Sequence, residues 1–472
     1  MLFREIAENK EFSNYLLLAI CASAIALLLP PGIASATVLG IGFVLLIFLN
    51  QHIGVLAIVF TRFSQLFVSL PISPLLSINK LIAVVLLFGI ALIYFIKKTR
   101  EFWLPRQMVF LSGFLAIAVI SSIVNNSGID IVFYIINQVI LLATIFYRTT
   151  KKNHVANIYA LLCIIVVIFY LSVVFEGKTL QSLAEGTSII ENRNGVAATV
   201  AFVAPIAFVL AVRQKIRFEK YSRFAYDLSK KIFFIAVIFL VVLITAATLS
   251  RGVLIALVAS FAIIFKKLPK EKIWIWFALS LAIFFLLYGS FITKITERFE
   301  EVEKIPQVGT ITGAKEEVQD SGITRTLAAI ETFTIFLTNP LLGIGLGNSP
   351  PALGTILPQK FQKDPLSEEL SEKHMLDPHN IYLEVLAETG IFGFIFYMLF
   401  LAQNLFDSMK TKQLFKQKND TEGLLLTEGI QTAYISTIIM GFFFNDPFFF
   451  HIIISSALII SLKKISIDEE KR

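Results

Sequence analysis

Four short clusters hold side chains that can do chemistry. Asn192-Arg193-Asn194-Gly195 opens the apolar run 196–212, and Ser250-Arg251-Gly252 joins two apolar runs with barely a loop. Arg325 stands ahead of a stretch running from Pro340 through Gly343, Gly345 and Gly347 to Asn348. Asp377-Pro378-His379-Asn380 leads into Ile381-Tyr382-Leu383-Glu384 and on to Glu388-Thr389-Gly390. Arginine carries a fixed charge on a planar fork that meets phosphate oxygens at two points, so these arginines suit an anion. Pro378 disfavours helix before it and Asn380 is a good cap, which predicts His379 at a helix N-terminus. There the dipole favours the neutral imidazole that accepts a proton.

Each cluster also has a plainer reading. Asn194 can cap a helix, and Arg251 can be an interfacial anchor whose head reaches water. The alternating glycines say only that the backbone turns tightly or approaches something closely, since no strand precedes them as a dinucleotide site needs. His379 can sit beside a cap without further purpose. Glu384 and Glu388, one turn apart on the helix that follows, either orient the histidine or face a solvated pore.

The elements that must position these residues are membrane helices. Of 472 residues 56 % are hydrophobic and 16 % charged, with 45 Phe. That leaves too little polar surface to cover a water-soluble fold, and the mean hydropathy of +0.77 agrees. Two cysteines, both in apolar runs, exclude a disulfide scaffold or a cysteine metal cluster. A net charge of +7 is explained by basic cytoplasmic loops rather than by nucleic acid.

A spanning helix needs about 20 mostly apolar residues. Qualifying runs are 12–29, 33–50, 53–70, 81–96, 107–124, 129–147, 155–175, 195–212, 232–249, 252–268, 273–292, 381–405, 430–445 and 447–463. The expected fold is therefore all-α and integral to the membrane, with about 12–14 transmembrane helices and one large loop. Lys and Arg gather in alternate short connections, which puts both termini in the cytoplasm and the loop 293–380 outside. The chain then divides into helices over 1–190, helices with the arginine-bearing boundary over 191–292, the loop 293–380 and the final helices over 381–472. Arg62, inside the third run, is costly there unless it is paired or close to the interface.

Taken together, the clusters resemble the O-antigen ligase and O-antigen polymerase superfamily of membrane glycosyltransferases. The resemblance rests on Ser250-Arg251-Gly252, on Arg325 with Pro340 and Gly343-Ile344-Gly345-Leu346-Gly347, and on His379-Asn380-Ile381-Tyr382-Leu383 through Glu388-Thr389-Gly390. It covers about 190–400, and the Asn192–Asn194 segment is a weaker part of it, with Arg193 where a proline is expected. The resemblance implies transfer of a glycan from a polyprenyl (undecaprenyl) diphosphate carrier to an acceptor hydroxyl, outside the cytoplasmic membrane. The acceptor would be a glycan, a lipid-A core or a protein, and the partners a lipid-linked oligosaccharide and membrane lipid. It further implies inversion at the sugar and no metal or other cofactor. His379, Arg251 and Arg325 become the expected catalytic residues, and Arg193, Asn194, Glu384 and Glu388 the expected substrate-binding ones. Ligase and polymerase share the donor chemistry, so these residues do not separate them. A multi-spanning secondary transporter is the alternative, and it predicts ionisable residues or broken helices at mid-bilayer in both halves of the chain.

Overall fold

The computed structural model describes residues 51–64, 104–127, 129–175, 193–213, 221–248, 251–265, 322–349, 352, 379–444 and 450–470. Every regular element among them is a helix. In chain order they are α1 (Gln51–Ser64), α2 (Arg106–Val124), α3 (Ile129–Arg148), α4 (Lys152–Phe175), α5 (Arg193–Arg213) and α6 (Tyr221–Thr248). They continue with α7 (Arg251–Phe265), α8 (Gly322–Thr338), α9 (Ile381–Gln417), α10 (Thr421–Met440) and α11 (Phe450–Asp468). Five of the eleven contain a stretch long and apolar enough to cross a bilayer: α2, α4, α6, α9 and α11. The protein is an all-α integral membrane protein.

Ten of the expected spans coincide with described helices, while 12–29, 33–50, 81–96 and 273–292 lie outside the described residues. Two helices run well past their apolar runs. The helix expected over 430–445 occupies Thr421–Met440, because Asp420 caps it by accepting from Gly423 N–H at 3.0 Å. Its polar residues are matched by neighbours: Lys412 pairs with Glu428 at 2.6 Å, and Gln431 donates to Ser408 Oγ at 3.1 Å. The helix expected over 381–405 continues to Gln417 for a similar reason. Asp407, buried, accepts from Gln107 at 2.5 Å and from Gln403 at 2.9 Å, and pairs with Lys463 at 2.7 Å. Buried charge survives when it is paired and hydrogen-bonded in this way.

These bonds gather at one end of the bundle. Lys152 reaches Asp420 at 2.8 Å and Glu469 at 3.1 Å, and Lys418 donates to the Ser466 carbonyl. Arg106, Arg148, Lys152, Lys416 and Lys418 all mark this basic end, as helix termini or their neighbours. At the opposite end stand the starts of α5, α7, α9 and α11 and the finish of α10. α9 lies against α2, with Gln107 beside Asp407 and Ser121 beside Glu388, so the two run antiparallel. One continuous apolar core joins α1–α6 to α9–α11.

Candidate functional site

α9 begins where the sequence places it. Asn380 is extended (φ −149°, ψ 103°), and its side chain accepts from Tyr382 N–H at 3.0 Å and Leu383 N–H at 3.1 Å. His379, just outside the helix and half-buried, has φ 46°, a left-handed conformation uncommon in a non-glycine residue. The start of α9 is fastened to the end of α10. Ile381 N–H donates to Gly441 O at 2.9 Å, and the Tyr382 hydroxyl donates to Ile438 O at 2.6 Å. The Tyr382 ring also lies 4.6 Å from that of Phe442. The backbone just after His379 is thus tied to a packed turn at 441–444.

Two more helix starts meet the same turn. A Cβ on Gly252 would fall 2.4 Å from the Phe443 ring, so the first turn of α7 can approach only because residue 252 is glycine. Ala197, Ala198 and Ala201 of α5 pack against Val253 and Ala256 of α7 and Met440 of α10. Small residues on each face allow the close approach, as is common between membrane helices. Arg251 is the first residue of α7, Arg193 the first of α5 and Asn194 the second. For these three, and for Arg325, only the backbone is described. The structure thus brings Arg193, Asn194, Arg251 and His379 to one end of the bundle around one turn. Three helix N-termini gather there, each with a positive dipole end, although the first N–H groups of α9 are already taken by Gly441 O and by Asn380.

The glycine stretch is built into α9 rather than resting on it. α9 breaks at Gly390 (φ 62°, ψ −168°), which frees the carbonyls of Ala387 and Glu388 from their helical partners. Ile344 N–H donates to Ala387 O and Gly345 N–H to Glu388 O, both at 3.0 Å, while Ile391 N–H donates to Pro340 O at 2.8 Å. Gly343 (φ 70°) and Gly390 have no room for a side chain. A Cβ would fall 2.4 Å from the Glu388 carbonyl carbon and 2.3 Å from that of Leu341, respectively.

α2 closes the arrangement. The Ser121 hydroxyl lies 2.5 Å from Leu342 O and 2.8 Å from Glu388 O, and Asn125 donates to Gly343 O at 3.1 Å. Asn348 donates to Ile344 O at 2.8 Å and to Ser127 Oγ at 2.9 Å. Glu388 Oε1 accepts from both the hydroxyl and the N–H of Ser349, at 2.8 and 3.2 Å.

Glu384 and Glu388 are both buried, on the same face as Ile381 and Val385, whereas Leu383 and Leu386 are only half-buried. The inward face of the first two turns of α9 therefore carries Ile381 and Val385 together with the two carboxylates. The polar groups of the glycine segment make the carboxylate side the inner one. Arg325 lies near the start of α8, whose far end docks at the α9 break. Thr338 lies thirteen positions further along the chain, about 20 Å of helix. Asp377 and Pro378 lie outside the described residues.

Some residues of this end gave no signal as a site in the sequence. Ser121, Asn125 and Ser127 belong to what reads as an ordinary span and the turn after it. Ser349 simply follows the glycines. His451, buried in α11, lies with Nε2 3.2 Å from Thr199 Oγ1 and edge-on to Phe63 and Phe202. The Thr199 hydroxyl donates to Gly195 O at 2.9 Å, so the imidazole N–H is the donor to it. Arg62, costly in its apolar run, lies in the last turn of α1 with its guanidinium 5.9 Å from the Phe450 ring centre.

Comparison with known proteins adds one match. No curated protein matches the chain. Residues 234–398, which hold most of α6, all of α7 and α8 and the first half of α9, match the family model described as O-antigen ligase, and this supports placing the chain in the O-antigen ligase/polymerase superfamily.

Proposed function

We propose that this protein is a membrane glycosyltransferase of the O-antigen ligase or polymerase type, moving a glycan from a polyprenyl diphosphate carrier to an acceptor hydroxyl. His379 takes the acceptor's proton as the acceptor oxygen attacks the anomeric carbon. The bond to the diphosphate breaks on the opposite side, its electron pair leaves with the diphosphate, and the sugar inverts. Arg251 and Arg325 pair with the charge that grows on the leaving group, the kind of interaction that lowers a barrier most. Arg193, Asn194, Glu384 and Glu388 bind and align the two substrates. The acceptor is a glycan, a lipid-A core or a protein, and no metal takes part. The reaction occurs at the extracytoplasmic face of the cytoplasmic membrane, since the basic end of the bundle is cytoplasmic by the positive-inside rule.

The observation that carries this reading is the meeting of three helix N-termini, led by Arg193, Arg251 and His379-Asn380, around the 441–444 turn. The positive dipole ends of the three helices favour an anion at the depth of a lipid headgroup. The O-antigen ligase match over 234–398 supports the same chemistry. The test is turnover of an undecaprenyl-diphosphate-linked oligosaccharide by the purified protein in liposomes with EDTA present. Longer lipid-linked chains identify a polymerase, and product on a core or protein acceptor a ligase. No turnover with any acceptor, together with movement of a small solute across the liposome, would establish a transporter instead.

A further inference from the structure

α8 is inside out for a helix in water. Its buried side carries Glu331, 6 % exposed, and Thr332, fully buried, beside Ala328 and Ile335. Its outer side carries Ile330, Phe333 and Leu337, which are 54, 45 and 60 % exposed. These three sit at i, i+3 and i+7, a single stripe along the helix, and Leu341 continues it just past the helix end at 59 % exposed. A helix facing water turns such a stripe inward and its carboxylate outward. A helix facing lipid does the reverse.

Hydrogen bonds fix the depth of its end. Leu342 O is held by Ser121 and Gly343 O by Asn125, so the residues just after α8 lie level with the last turn of α2. α2 is itself long and apolar enough to cross the bilayer. Pro340 O is held by Ile391 N–H, ten residues along α9 from its start. The irregular backbone from 339 to 349 thus sits beside spanning helices. Its polar groups are met by Ser121, Asn125, Ala387, Glu388 and Ile391, as non-helical chain at membrane depth requires. Neighbouring spanning helices also expose apolar side chains near the end of α8. α2 exposes Ile120, Ile123 and Val124 at that level, and α9 exposes Phe392 and Ile395 just beyond the break.

We propose that the C-terminal half of α8 is inserted in the outer leaflet, with Ile330, Phe333, Leu337 and Leu341 against the acyl chains of bulk phospholipid. Part of what reads in sequence as a polar external loop is then a membrane element. It anchors the glycine segment, which continues directly from its end. This holds whether or not the protein transfers glycans.

The test needs no activity. Phe333→Cys and Leu337→Cys are made singly in a chain carrying Cys21→Ser and Cys163→Ser, spin-labelled and reconstituted in phosphatidylcholine–phosphatidylglycerol liposomes. Relaxation by oxygen, which concentrates in lipid, is compared with relaxation by a water-soluble nickel chelate. Ile395→Cys gives the lipid reference and Gln417→Cys the aqueous one. The expected oxygen-to-nickel ratio at both sites matches Ile395→Cys and is several-fold above Gln417→Cys. A ratio like that of Gln417→Cys, or suppression of both collisions by covering protein, overturns the proposal. Leu337→Trp provides a second readout that keeps an apolar side chain: quenching by brominated phospholipid is expected, and quenching by acrylamide alone contradicts it.

Discussion

The Ser349 hydroxyl donates to Glu388 Oε1 at 2.8 Å, and the Ser349 N–H reaches the same oxygen at 3.2 Å. This pair joins the end of the glycine segment to the helix that begins beside His379. A carboxylate two turns into α9 therefore sets where the segment lies, and with it the docked end of α8. Glu388→Ala leaves two buried donors without their acceptor, and the loss is expected to be about 1–3 kcal/mol of stability. Glu388→Gln keeps an acceptor oxygen and should lose less. Thermal unfolding in detergent distinguishes the two, and equal midpoints for both variants and the parent contradict this role.

Gly390→Ala should be worse than an ordinary glycine substitution. The residue has φ 62°, and its Cβ would fall 2.3 Å from the Leu341 carbonyl carbon. A strained backbone position of this kind costs about 1–3 kcal/mol before any clash is counted. Gly429→Ala is the control, since its Cβ would meet nothing closer than the Tyr159 ring at 3.4 Å. Similar melting temperatures for the two variants would show that the break in α9 is not fixed by the glycine segment.

How much of this was legible in the sequence depends on range. The start of α9, its Asn380 cap and ten of the spans follow from local rules of capping and apolar length. The glycine stretch announced a tight turn or a close approach. What it approaches, the carbonyls released at Gly390, is a pairing across more than 40 positions that no local pattern encodes. The same holds for Ser121 and Asn125, two hundred positions away from their partners in that segment. The extension of α10 back to Thr421 was hidden because Glu422 and Glu428 look like loop until Lys412 is known to face Glu428. α8 was read as loop because length and charge describe 293–380 as a whole and not its one apolar face.

At the basic end, acid should weaken one linkage in a defined window. Burial raises the Asp420 carboxyl, but the hydrogen bonds from Lys152 and from Gly423 N–H outweigh it and hold it below its usual value of 3.8. A carboxyl depressed in the fold contributes stability above its unfolded value and loses it as pH falls through the folded one. Asp420→Asn is therefore expected to be less stable than the parent at neutral pH, with the gap closing as pH falls below about 4. Melting curves that stay parallel down to the acid limit would contradict the assignment.

Arg251→Lys and Arg325→Lys keep the charge and lose the planar fork. If each arginine grips the departing diphosphate at two points, both substitutions lower kcat, and the alanine variants lower it by about 10²–10³-fold. A change in KM alone, at unchanged kcat, would assign the arginines to ground-state binding rather than to the reaction.

The central claim is that His379 removes the acceptor proton at an anion site led by Arg251. The most direct measurement is the rate of glycan transfer from an undecaprenyl-diphosphate oligosaccharide in liposomes by the parent, His379→Ala and Arg251→Ala, each checked for normal folded protein. Loss of about 10²–10⁴-fold is expected for the histidine variant, with donor binding kept, and about 10²–10³-fold for the arginine variant. Transfer by the parent that continues undiminished in both variants would contradict the account.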